Sequence, residues 1–351
     1  MPSPLEPVRL AHHPTPLEPL DRLSAELGGP RIWVKRDDAT GLAIGGNKVR
    51  KLEYLLADAI GGGADVVVTI GATQSNHCRQ TAAAAARLGV DCELLLEHRF
   101  PDWSDDYNHG GNRQLDTLFG ATVHDHERGT DMVAALDSRA AALRAAGRMP
   151  YVVPLGGSSV VGSLGYHAAA GELLDQCDAL GVSPAEIVHA TSSGGTQAGL
   201  LAGLASADRS IPVLGVSAGA PATHLGPIVA ELAAGVLDLL GDSAPVAADA
   251  VVIDDAHVGE AYGVPTDAMH EALDLCARLE GLLLDPVYTG KGMAGLIHHV
   301  RAGRHPTDAD VVFVHTGGTP ALFAYRRSER DAPIGRRGRC PVWAGGCRWS
   351  S

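Results

Sequence analysis

The chain lacks the basic excess that a nucleic-acid-binding surface needs. Its 28 Lys and Arg stand against 41 Asp and Glu, a formal net charge of −13, which argues against nucleic acid as a partner. No run approaches 18 consecutive apolar residues, so no membrane-spanning helix and no membrane partner are expected. The start, Met1-Pro2-Ser3-Pro4, lacks the charged-then-apolar order of a secretory leader. Cysteine is sparse, with no CxxC and no regular spacing. Cys78, Cys92, Cys177, Cys276, Cys340 and Cys347 therefore read as reduced, mostly buried side chains of a cytoplasmic protein. Aromatic residues are few, at 4%, while 45% of the 351 residues are hydrophobic and 20% are charged. That balance excludes disorder. The length suits about two domains, or one large domain with an inserted lobe. The expectation is an acidic, Gly- and Ala-rich soluble α/β enzyme.

Short β-branched runs alternate with Ala- and Leu-rich stretches. Strands are expected at Val66 to Ile70, Cys92 to Leu96, Tyr151 to Pro154, Ile187 to Ala190, Val213 to Val216, Val251 to Ile253 and Val311 to Val314. Each run is apolar on both faces, as in parallel strands covered by helices. The alternation predicts open, doubly wound sheets with ligands at the carboxyl ends of the strands. Residues 98–113, rich in Asp, Asn, Gly and His, read as a surface loop. From Arg326 to Ser351 seven arginines face only Glu329 and Asp331. That segment reads as a basic, flexible extension, with a solvated tail favoured over one that touches RNA or an acidic partner.

Four stretches carry candidate chemistry. Gly45-Gly46-Asn47-Lys48 opens a helix with apolar Leu52, Leu55, Leu56 and Ala59 at helical spacing, and Lys48 and Lys51 near its start oppose the helix dipole. On its own a lysine-rich helix start is most often a solvated face. Gln74-Ser75-Asn76-His77 follows a strand and opens an Ala-rich helix. Such a loop offers free backbone N–H groups to a carboxylate, beyond what an ordinary N-cap requires. Ser192-Ser193-Gly194-Gly195-Thr196-Gln197 repeats the strand-loop-helix pattern and suits a phosphate monoester, although it is neither a P-loop nor a dinucleotide fingerprint. Tyr262, Tyr288 and the His315-Thr316-Gly317-Gly318 turn form the fourth; turn tyrosines are more often packing residues. His12-His13, His124-Asp125-His126 and His298-His299 match no catalytic zinc pattern, so no metal is expected.

A lysine able to form an imine, a phosphate cup and a carboxylate loop together describe pyridoxal phosphate chemistry on an amino acid. Four ordered motifs, GGNKVRKLEYL, QSNHCRQTAA, DPVYTGKGMAGLI and VHTGGTPALFAY, carry a resemblance across about residues 16–325. The chain resembles the tryptophan-synthase-β-like (fold type II) pyridoxal-phosphate enzymes. Within them it is similar to the D-cysteine desulfhydrase / 1-aminocyclopropane-1-carboxylate deaminase family, which includes L-cysteate sulfo-lyases. The resemblance implies two mostly parallel twisted sheets with helices on both faces, and the cofactor held between two domains. The large domain would comprise 1–49 and 159–326, the small domain 50–158, with 327–351 as the extension. It implies that Lys48 forms the internal aldimine and carries the α-proton. Lys51, Ser193, Gly194, Gly195 and Thr196 would hold the phosphate. Asn76 would meet the phenolic oxygen, and Thr316 the pyridine nitrogen. Gln74, Ser75, Asn76 and His77 would bind the substrate carboxylate, with the Ser75 hydroxyl beside the reacting carbon and Tyr262 and Tyr288 on the substrate side. Homodimers are the family habit.

Two positions discriminate within the family. The deaminase pattern places Glu where this chain has Thr289, and the desulfhydrase pattern matches Thr289 and Thr316. A neutral hydroxyl does not keep the pyridine nitrogen protonated as a carboxylate does, so the ring is a weaker electron sink. That suits β-elimination and disfavours opening of a cyclopropane, although Ser192 and Gln197 depart from the desulfhydrase loop. The expected reaction is D-cysteine to pyruvate, ammonia and hydrogen sulfide. L-Cysteate sulfo-lyase stays open, with Arg99, Arg113 or Arg128 as sulfonate donors, although solvated surface arginines are the favoured reading of those residues. The deaminase and a non-catalytic pyridoxal-phosphate-binding homologue remain as further alternatives.

Overall fold

The computed structural model describes residues 6–100, 102–247 and 249–325. The basic extension, with Cys340 and Cys347, lies outside the described residues. The described residues form ten strands: β1 (Leu17–Pro19), β2 (Arg31–Lys35), β3 (Val66–Ala72), β4 (Asp91–His98), β5 (Thr122–Glu127), β6 (Pro150–Val152), β7 (Pro184–Thr191), β8 (Val213–Ser217), β9 (Val251–Asp254) and β10 (Asp310–Val314). The α-helices are α1 (Asp21–Leu27), α2 (Lys48–Gly61), α3 (Asn76–Leu88), α4 (Asp105–His109), α5 (Gly111–Leu118), α6 (Met132–Ala145), α7 (Val160–Leu180), α8 (Gly195–Ser206), α9 (Ala222–Leu240), α10 (Asp267–Glu280) and α11 (Thr289–Arg301).

The strands form two sheets, ordered β1-β2-β10-β7-β8-β9 and β5-β4-β3-β6. Every pairing is parallel except β1 with β2. Strands β3, β8 and β10 are buried along their whole length, which is why they read as unbroken apolar runs. One six-stranded core face packs Val312, Val314, Ile187 and Val213 against α7 and α8. The other packs Val311, Phe313, Val188 and Leu214 against α10 and α11. Residues 98–113 depart from the expected loop: they contain α4 and the start of α5, with Tyr107 and Asn112 buried. Ser104 caps α4 by accepting from Tyr107 N, and the polar composition marks a short capped helix rather than a loop. Of the helices, α9 is long and apolar enough to cross a membrane, with a mean hydropathy of 1.3. It lays Leu225, Val229, Ala233, Val236 and Leu237 onto the molecule's own core. The cysteines within the described residues, Cys78, Cys92, Cys177 and Cys276, are free and buried.

A buried charge cluster orients α2. Arg50 donates to Asp37 at 2.8 and 2.9 Å and to Glu172 on α7 at 2.9 and 3.0 Å, while Lys35 of β2 also reaches Glu172. α7 lies so close to α2 that a Cβ on Gly165 would sit 2.2 Å from Arg50 O. With Arg50 held on this side, Lys48 is turned the other way, toward the cleft, and Lys51 lies buried against Gly156 and Ser158. Burial pushes the Glu172 carboxyl up, but the Arg50 hydrogen bonds and charge, then Lys35, outweigh it and bring it down to about 2. The unfolded chain titrates the same group near its ordinary value of about 4.3. The resulting stability is present above that value and is lost as pH falls toward 2. Glu172→Gln should cost about 3 kcal/mol at neutral pH and flatten the acid limb of the stability curve. Denaturant midpoints between pH 2 and 7 check this, and an unchanged limb would dismiss Glu172 as a contributor.

Candidate active site

Four helix N-termini and the ends of two strands converge on one cleft. Its wall is made by Asn47 and Lys48 at the start of α2, and Asn76 and His77 at the start of α3. Residues 190–194 and Thr196 line it from β7 into α8, with Tyr288 before α11 and Thr316 and Gly317 after β10. The space enclosed is about 450 Å³, open mouth included. The first four N–H groups of a helix have no intrahelical acceptor; those of α11 are taken by Asp285, and those at the starts of α3 and α8 favour an anion. None of these lining residues carries a carboxylate.

The loop that delivers Lys48 is strained. Ala43, Ile44, Gly45 and Gly46 have φ of 49°, 70°, 74° and 130°, a region in which Ala and Ile are costly. Arg79 of α3, fully buried, holds it by donating to Ala43 O and Gly45 O. Gln80 accepts from Val49 N at 3.1 Å. Arg79 also donates to Asn76 Oδ1 at 3.3 Å, which leaves the Asn76 NH₂ for the cleft.

Lys48 lines the cleft, whereas Lys51, one turn on, is closed off at 1% exposure. Burial lowers the Lys48 ammonium to about 8, opposed by a hydrogen bond with Lys51. Burial, and then the charge of Lys48, push Lys51 well below its ordinary value. Lys51 Nζ donates to Ser158 Oγ at 3.0 Å and Gly156 O at 3.3 Å. Ser158 Oγ meets Ser193 Oγ at 2.7 Å and accepts from Gly195 N at 3.2 Å. Thr196 Oγ1 accepts from Asn47 Nδ2 at 3.0 Å. A Cβ on Gly195 would stand 2.8 Å from Ser158 Oγ and 3.0 Å from Lys51 Nζ, so a side chain there would displace both groups.

On α3, Ser75 is the N-cap and accepts from Cys78 N at 3.2 Å. His77 Nε2 lies 2.8 Å from Thr69 Oγ1, which itself donates to Val153 O. Thr69 is therefore the acceptor, Nε2 carries the proton and Nδ1 is a bare lone pair with no hydrogen-bond partner. Burial first, then Lys48 and Lys51, keep this imidazole neutral. A bare lone pair repels a carboxylate, so any hold of His77 on one falls to its backbone N–H. Gln74 also differs from expectation. Its side chain donates to Tyr107 O and Gly110 O and accepts from Asn112 N, which ties α3 to the α4–α5 turn rather than turning the amide to the cleft.

Tyr288 lines the cleft, and its hydroxyl is 2.5 Å from that of Tyr262 behind it. Thr316 lines the cleft, but Thr289 does not. The Thr289 hydroxyl donates to Asp285 Oδ1 at 2.7 Å and accepts from Asp285 N at 2.8 Å. Asp285 also takes the N–H groups of Val287, Tyr288 and Thr289. Gln197 donates to Val213 O and Val252 O, so it fastens α8 to the sheet and says nothing about reaction class. Ser158, Asn47, Arg79 and Asp285 were not singled out from the sequence. The Gly-Gly-Ser-Ser run after β6 and the asparagine preceding Lys48 were the available signals for the first two.

The family model described as pyridoxal-phosphate dependent enzyme matches residues 8–317. The chain belongs to this family. The cofactor of the pyridoxal-phosphate-dependent enzymes is thus the one to test against the cleft, and the buried Lys51 amine, bonded to Ser158 and Gly156 and to no carboxylate, suits a phosphate beside the start of α8. D-cysteine desulfhydrases of Salmonella typhi and Salmonella enteritidis PT4 are each 46% identical to the chain over 312 residues, covering 89% of it and 94% of their own length. A solved structure described as an ACC deaminase homologue is 36% identical, with a TM-score of 0.83 over 92% of this chain and 94% of that one. A solved threonine deaminase from T.th., 21% identical with a TM-score of 0.60 over 87% and 92% of the two chains, shares the fold.

Proposed function

We propose that this enzyme carries out β-elimination on D-cysteine, releasing pyruvate, ammonia and hydrogen sulfide. The observation that carries the reading is the absence of any carboxylate from the residues lining the cleft, where Thr316 stands and the Thr289 side chain is tied back to Asp285. Bound pyridoxal phosphate draws electrons from the Cα of an attached amino acid and makes its proton acidic. Without a carboxylate to keep the pyridine nitrogen protonated, that withdrawal is moderate, and it serves a substrate that sheds a good β-leaving group at once.

Lys48 Nζ, the amine that opens onto the cleft, would hold the cofactor's aldehyde carbon and then take the α-proton. Lys51, Ser193 and the N–H groups of Gly194, Gly195 and Thr196 would hold the phosphate. The Asn76 NH₂, aimed by Arg79, would donate to the phenolic oxygen. The Ser75 hydroxyl and the N–H groups of Asn76 and His77 receive the substrate carboxylate. Tyr288 and Tyr262 handle the proton at the sulfur side. We assign residues 1–49 and 159–326 to a large domain and 50–158 to a small one, each built on its own sheet. The working form is a homodimer, as the resemblance implies, and its free, buried cysteines suit the cytoplasm.

Thr316→Ala should shift the absorbance spectrum of the bound cofactor while pyruvate and sulfide remain equimolar. An unaltered spectrum would remove Thr316 from the pyridine nitrogen. Pyruvate released without sulfide would point to another substrate.

A further inference from the structure

Although the chain holds only 4 Phe, 4 Trp and 7 Tyr, aromatic rings gather beside the cleft. Phe100 stacks on Trp103 at 4.1 Å, Trp103 meets Tyr107 at 4.9 Å, and Tyr107 meets Tyr325 at 5.4 Å. This group, three rings from the segment after β4 and Tyr325 from beyond β10, packs on the loop that carries Tyr262: a Cβ on Gly263 would be 3.2 Å from the Phe100 ring and 3.3 Å from Tyr325 Oη. Arg99 begins the same segment. Its guanidinium lies 4.8 Å from the Tyr262 ring centroid, while 37% of the side chain remains exposed. Arg99 Nε donates to Glu97 Oε2 at 2.7 Å, and Glu97 Oε1 accepts from Gly129 N at 3.0 Å. The cation is thereby fixed over the ring.

We propose that Arg99 is a positioning residue that makes the Tyr262–Tyr288 pair the proton donor to the departing sulfur. The inference rests on the β-elimination reading. When the Cβ–S bond breaks, its electron pair goes to sulfur. The phenolic proton of the pair follows, giving hydrogen sulfide, and the tyrosinate left behind is stabilised by the guanidinium over the Tyr262 ring until solvent returns a proton. The other groups facing the pair are Asp285, Cys78, Tyr107 and Tyr325. Asp285 is saturated by four donors. The Cys78 thiol and the two further phenols are pushed up by burial and stay protonated. Arg99 is the cation acting on both members of the pair.

Cofactor-loaded wild type, Arg99→Gln and Arg99→Lys, each assayed for pyruvate release across pH with D-cysteine and with β-chloro-D-alanine, test this directly. Chloride leaves without a proton, so the two substrates separate proton donation from general damage. Arg99→Gln should lower kcat on D-cysteine about tenfold and on β-chloro-D-alanine by about twofold at most. Tyrosinate absorbance, read on the same proteins without substrate, should begin at higher pH in Arg99→Gln. Arg99→Lys should restore most of both signals. Equal losses on the two substrates, or an unmoved tyrosinate titration, would overturn the proposal. A wild type that releases pyruvate from neither substrate would instead overturn β-elimination itself.

Discussion

Lys48→Ala should lower pyruvate release by about 10³-fold or more, because the variant loses both the covalent hold on the cofactor and the proton acceptor at Cα. Borohydride reduction followed by mass analysis should find the cofactor's mass on the wild-type chain and not on the variant. Retained mass would move the attachment to another lysine, with Lys51 the first to examine. The geometry separates the two. Lys48 faces the cleft, whereas Lys51 is closed off and donates to Ser158 and Gly156. A lowered ammonium also sets a pH dependence. With Lys48 brought to about 8 by burial, the neutral amine that attacks an aldehyde becomes the major form as pH rises through 8. Cofactor loading of the bare protein should therefore quicken between pH 6.5 and 8.5, as followed by absorbance. A loading rate flat across that interval would count against the lowered ammonium.

Tyr288→Phe should lower kcat on D-cysteine about 10²-fold, with cofactor affinity within about twofold of wild type. The substitution removes the cleft-facing hydroxyl and leaves Tyr262 Oη without its 2.5 Å partner. The ring itself stays packed against Tyr262 at 5.8 Å, so loss of fold does not explain a fall in turnover. Steady-state kinetics and a cofactor titration on the same preparation check this, and unchanged turnover would place Tyr288 outside the chemistry.

The parts of the molecule that sequence revealed are those with a local cause. Strands β3, β8 and β10 are buried on both faces, and burial writes itself as short, mainly apolar runs. β2 escaped notice because Arg31 is exposed and Trp33 only partly buried, so no apolar run announces it. β5, with exposed or half-buried residues throughout, sits at a sheet edge, where its sequence is set by solvent. The cleft residues Lys48, Asn76, Ser193, Gly194, Thr196, Tyr288 and Thr316 all lie in short motifs at element ends, and the fold brings them to one wall. What stayed hidden depends on partners far along the chain. The grip of Arg79 on the strained loop spans 36 residues, and the bond from Lys51 to Ser158 spans 107. Arg99 over Tyr262 crosses from one sheet's connections to the other's. The roles of Gln74 and His77 turned on hydrogen-bond direction, which residue type alone does not specify.

The central claim, sulfur elimination from a D-amino acid, is tested most directly by one panel on purified, cofactor-loaded protein. D-cysteine, L-cysteine and L-cysteate are assayed for pyruvate with sulfide or sulfite, and 1-aminocyclopropane-1-carboxylate for 2-oxobutyrate. The account predicts equimolar pyruvate and sulfide with D-cysteine as the best substrate. Dominant 2-oxobutyrate, or sulfite from L-cysteate in preference to sulfide, would contradict it.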